Sequence, residues 1–117
     1  MRSVKYLERS YQDMPAKNKL RITVLRTLDP EKLFDPLPVT LKTPLGPCEI
    51  FNEGQEIFVD ETLEMPEGFC ETAWRNFNHN IRVLGYDGEL PFFEETNLAI
   101  NSCTDGMRPV IFKIERI

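Results

Sequence analysis

The chain has 117 residues, and its 41% hydrophobic and 28% charged content is that of an ordinary globular protein; a single domain of that size buries roughly two-thirds of its unfolded surface. With 19 acidic against 14 basic side chains the net charge is −5, which repels a phosphate backbone and argues against a nucleic-acid partner. No apolar run is long enough to cross a bilayer and the opening residues form no secretory core, so a cytoplasmic protein with reduced thiols and no membrane partner is expected from its three cysteines.

Taken in order, residues 1–19 read as an N-terminal extension in which Val4, Leu7 and Tyr11 predict a short amphipathic helix ended by Met14-Pro15. The domain proper spans 20–117. It opens with a strand over Leu20–Leu28, where Leu20, Ile22 and Val24 alternate with Arg21 and Thr23. Pro30, Pro36, Pro38, Pro44 and Pro47 then bar a long helix, leaving one turn near Glu31–Phe34 and brief extended pieces at Val39–Lys42 and Glu49–Phe51. Cys48 follows the corner Leu45-Gly46-Pro47. Asn52-Glu53-Gly54 turns the chain into a strand over Gln55–Asp60, marked by the cluster Ile57-Phe58-Val59.

Met65-Pro66-Glu67-Gly68 has the proline and glycine of a type I turn, with proline second and glycine fourth. A helix over Glu71–Leu84 comes next, because Ala73, Trp74, Phe77, Ile81 and Leu84 recur at helical spacing and Gly85 stands where a left-handed cap ends such a run. Cys70 falls at the helix start, where unpaired backbone N–H groups favour a thiolate. Leu90-Pro91-Phe92-Phe93 reads as an apolar segment laid over the core or lining a pocket, and Trp74, Phe77, Phe92 and Phe93 together as core rather than an aromatic cage. The chain ends in a hairpin: Leu98–Ser102, Cys103 at the hinge, a turn at Asp105-Gly106 able to take positive φ, and Val110–Arg116 with alternating apolar residues. These elements predict an α+β fold, an antiparallel sheet of about four to five strands, partly closed into a barrel or open, packed against one main helix.

The motifs Gly46-Pro47-Cys48, Gly54-Gln55-Glu56, Met65-Pro66-Glu67-Gly68-Phe69-Cys70 with Ala73-Trp74, and Cys103-Thr104-Asp105-Gly106 with the run Arg108–Ile117 resemble a family of short, uncharacterised prokaryotic proteins marked by three cysteines. The likeness covers Leu20–Ile117; Glu71-Thr72 departs from it, standing where a more apolar pair is expected. It implies that Cys48, Cys70 and Cys103 belong to a recurring pattern, and it implies no activity.

Three roles are open to these thiols: plain packing, a shared metal site holding zinc or an iron–sulfur cluster, or redox chemistry with Cys70 attacking and Cys48 or Cys103 resolving. Their spacing matches no compact metal motif, so a site requires convergence in space. His79 lies off the apolar helix face and far from Cys70, which leaves Asp105, water, a ligand or another chain's cysteine as fourth donor. Arg108 is placed for an anion or for an ion pair with Asp105 or Asp87, and Glu94-Glu95 reads as a solvated bend. No phosphate loop, dinucleotide fingerprint or serine elbow occurs, so no enzyme class is indicated and a small-molecule ligand stays unspecified. The competing role is a protein-interaction or assembly module, in which a homo-oligomer is one form.

Overall fold

The computed structural model describes residues 18–117. The helix expected around Val4–Tyr11 lies outside them. Among the described residues the elements run β1 (Leu20–Thr27), α1 (Pro30–Leu33), β2 (Glu56–Val59), α2 (Glu71–Gly85), β3 (Leu98–Ser102) and β4 (Val110–Arg116). The strands form one open antiparallel sheet of four, in the order β2-β1-β4-β3, with α2 packed on one face against β3, β4 and β1. The alternative of a partly closed barrel is thereby corrected. Among the described residues the short β2 pairs only with β1, and β3 only with β4, so the sheet formed by them has two edges.

Register follows from alternation. Leu20, Ile22 and Val24 on β1 and Val110, Phe112 and Ile114 on β4 point to the same side, each nearly or wholly buried, because Ile22 opposes Ile114 and Val24 opposes Phe112. A bulge between Val24 and Arg26 shifts the pairing by one residue, and Leu25, on the outer face by alternation, is exposed. From α2 come Ala73, Trp74, Phe77, Ile81 and Leu84, the predicted apolar stripe, all buried, with a kink at Phe77. The brief extended pieces expected at Val39–Lys42 and Glu49–Phe51 are not strands.

Two turns differ from expectation. In the first, the Phe69 N–H donates to Pro66 O at 3.1 Å, so the turn begins at Pro66 and places Gly68 third with φ +79°, the left-handed position of type II. In the second, the Asp105 carboxylate accepts from the backbone N–H groups of Met107 at 2.9 Å and Arg108 at 3.3 Å, and this side-chain turn needs no left-handed glycine. The helix end differs as well. Gly85 is its last residue and the left-handed conformation falls on Asp87, φ +70°.

Beyond α2, the chain turns Leu90 inward against the core and leaves Phe92 78% and Phe93 46% exposed. The expectation that both phenylalanines join the core is corrected by this outward turn. A bond from the Leu90 N–H to Thr96 O, 3.1 Å, closes the base of the loop and tips its middle into solvent.

Candidate functional site

The aromatic part of the core positions the cysteines. The Phe69 ring, 8% exposed, lies 5.1 Å from Phe51 and 5.9 Å from each of Trp74, Phe77 and Phe112, measured between centroids. Phe112 meets Phe51 edge-on at 5.1 Å. Such tilted and edge-on pairs are favourable beyond their burial. Phe69 precedes Cys70 directly and Phe51 follows Cys48 closely, so each ring fixes a cysteine-bearing segment at the rim of the core.

Hydrogen bonds set the approach of the first segment. The Val24 N–H donates to Gln55 O at 2.9 Å and the Gly54 N–H to Val24 O at 2.8 Å, pinning the turn at residues 52–55 beside β1. The chain leading into it, with Cys48, Ile50 and Phe51, is then directed along the core edge. Cys70 is the N-cap residue of α2 in extended conformation, and its side chain makes no capping bond. Cys103 follows β3; its N–H donates to Val110 O at 3.0 Å, and its Sγ accepts from the Val110 N–H at 3.3 Å.

All three cysteines line one cavity of about 270 Å³. Its floor is Phe51, Ala73 and Val110, and its rim carries Ile50, Thr72, Thr104, Asp105 and Arg108. None of the three forms a disulfide and each is half-buried. The thiols of three remote segments thus share a hollow next to the first turn of α2. Arg108 pairs with Asp105 at 3.6 Å, one of the two ion pairs expected of it, and at 33% and 50% side-chain exposure such a bond contributes little. His79 is exposed on α2 and does not line the cavity.

Chemically, the cavity offers three soft nucleophiles over an apolar floor, with one cation and one carboxylate at its mouth. A structural zinc site needs four donors at about 2.0–2.3 Å from one point. Among the described residues no group of three or more His, Cys, Asp or Glu side chains is arranged to hold a metal ion. The thiols share a cavity without forming a ready-made coordination cage. Ile50, Thr72 and Thr104 were not anticipated from the sequence. Their only signal was proximity to a cysteine, which does not say which way a loop side chain faces.

Comparison with protein-family models, with curated proteins and with solved structures gives no match. No helix among the described residues is long and apolar enough to cross a membrane.

Proposed function

We propose that the protein is a small binding domain that engages a thiophilic guest through Cys48, Cys70 and Cys103. One observation carries this: three half-buried cysteines from separate segments, none in a disulfide, line a single cavity. Cysteine is among the residue types most often fully buried, and three thiols serving only as packing have no reason to share one solvent-reaching hollow. The guest is a soft metal ion or a small electrophile. For a metal, the Cys48 segment and the hairpin connection after Cys103 must close on Cys70, since no coordination cage is preformed. Both are loops rather than ladder strands, where such closure costs least. The three-cysteine family resemblance belongs to the same proposal.

The test is a thiol count on the whole chain with and without guest. Anaerobically purified protein is titrated with zinc and with cuprous ion, analysed for bound iron, and labelled with a thiol reagent. The expected result is joint protection of the three thiols by one guest, with Cys48→Ser, Cys70→Ser and Cys103→Ser each weakening it about tenfold or more, in line with loss of a ligand or its support. Three thiols that label independently, with no metal and no electrophile affecting more than one of them, would overturn the proposal.

A further inference from the structure

The chain enters β1 between the two walls of an open cleft. β1 and β2 are antiparallel with Leu20 opposite Val59, so the residues before Leu20 run beside those after Val59, and Lys19 Nζ lies 3.9 Å from the Glu61 carboxylate. One residue earlier, the Asn18 N–H donates to Gly85 O at 3.2 Å and its side-chain amide to the Asp87 carboxylate at 3.4 Å. Asn18 is thereby held at the end of α2, where Leu63 packs on Gly85. Leu63 also lines a cleft of about 490 Å³ between residues 62–65 and the helix positions Trp74, Arg75, Asn78 and Arg82. Its apolar floor is Leu63, Met65 and Trp74, with Met65 39% exposed. Its border is acidic. From residue 60 to 71 the chain carries Asp60, Glu61, Glu64, Glu67 and Glu71 and no basic residue, while Arg75 is paired with Glu71 and Arg82 is engaged already.

We propose that this cleft is the docking site of residues 1–17 of the same chain, with Val4, Leu7 and Tyr11 laid on Met65 and Trp74. The point of entry supports this first, because the bonds of Asn18 deliver the preceding segment to the end of the cleft. Length agrees. From Trp74 to Arg82 the helix rises about 12 Å, as does an eight-residue helix over residues 4–11, and the six residues 12–17 reach up to about 20 Å to connect it. Charge agrees too: Arg2, Lys5, Arg9 and Lys17 against Glu8 and Asp13 make the segment net +2 in a chain of net −5, which draws it towards the acidic border. A helix this short is marginal alone in water, so its apolar stripe needs a surface to cover it, and an amphipathic helix laid in an apolar groove is a recurring way of meeting that need. The same segment from a second copy competes poorly. The chain's own is tethered at Asn18 and acts at an effective concentration of about a millimolar.

The experiment is methyl nuclear magnetic resonance on the whole chain with labelled methionines, joined to timed tryptic cleavage after Arg9. Contacts from the Met65 methyl to Leu7 and Tyr11 are expected, unchanged on dilution. In a chain carrying Leu7→Gln with Tyr11→Gln the Met65 methyl and the Trp74 indole resonances shift while the Met107 methyl on the β3–β4 loop keeps its position. Met65→Gln, at a half-exposed side chain the fold tolerates, speeds cleavage after Arg9 about tenfold or more, because cleavage follows the population of the undocked segment. Added to the Leu7→Gln, Tyr11→Gln chain, Met65→Gln speeds it no further, the mark of two partners in one contact. A Met65 methyl without contacts to residues 1–17, resonances indifferent to the Leu7 and Tyr11 substitutions, or cleavage indifferent to Met65→Gln would overturn the proposal. Contacts that vanish on dilution together with a dimer would overturn it as well, by making the occupant the segment of a second copy.

Discussion

The side chain of Leu63 occupies the space that a Cβ on Gly85 would need: a methyl built there would sit 2.6 Å from Leu63 Cδ1 and 2.8 Å from Cδ2. Leu63 is 2% exposed and holds φ +57°, a conformation leucine rarely takes. The segment before α2 is therefore locked onto the end of the same helix. Gly85→Ala is expected to destabilise the protein by about 1–3 kcal/mol through overpacking, despite alanine's better helix propensity. Denaturant unfolding measures it. In a Leu63→Ala background the added cost should shrink, giving a coupling readable from a double-mutant cycle.

Phe69 is the second test of packing. It contacts Phe51, Trp74, Phe77 and Phe112, so Phe69→Ala should cost about 3–5 kcal/mol. It should also speed labelling of the adjacent Cys70 more than that of Cys103, as residue-resolved thiol trapping would register.

Arg116, at the end of β4, reaches across to the helix terminus. Its Nη1 donates to Leu84 O at 3.2 Å, which also accepts from the Asp87 N–H at 3.3 Å, and to Gly88 O in the turn beyond the helix, tying β4 to the end of α2. Arg116→Met should lower stability by about 1–3 kcal/mol. Hydrogen exchange should quicken at the last turn of α2 before it does in the sheet.

On the outer sheet face, burial pushes the Glu115 carboxyl up, but hydrogen bonds and charge from Arg21 and Lys113 outweigh it and hold the group below the usual carboxylate range. Asp60 is lowered too, by the hydroxyl and backbone N–H of Thr62. A carboxylate whose folded value is depressed adds stability that is whole above its unfolded pKa and disappears as pH falls through the folded one. Unfolding free energy should therefore decline as pH drops below the ordinary carboxylate range. Glu115→Gln should flatten part of that decline while leaving neutral-pH behaviour above it unchanged in slope.

Much of the scaffold was legible in the residues, for local reasons. Strands β3 and β4 fall at Leu98–Ser102 and Val110–Arg116 as predicted, since alternation on β4 and the polar turn at Asp105 leave one pairing that buries Val110, Phe112 and Ile114. The start of α2 at Glu71 was equally readable from the stripe beginning at Ala73. Gly85 shows where local logic stops: its small size serves the distant Leu63, whereas a cap would have served the helix alone. Phe92 and Phe93 read as core because apolar residues usually are. Their exposure, on a loop closed at its base by the bond from Leu90 to Thr96, shows that the loop tips outward. The meeting of Cys48, Cys70 and Cys103 is tertiary by nature. It depends on Phe51 and Phe69 docking on Phe112, which no spacing of cysteines encodes.

The indole of Trp74 stands 5.9 Å from the Phe69 ring, and Ala73 beside it floors the thiol cavity. A guest that tugs on Cys70 must shift that ring against the indole. The protein thus carries an intrinsic fluorophore wired to its own hollow, and its single tryptophan should change emission as the cavity fills, with no label attached.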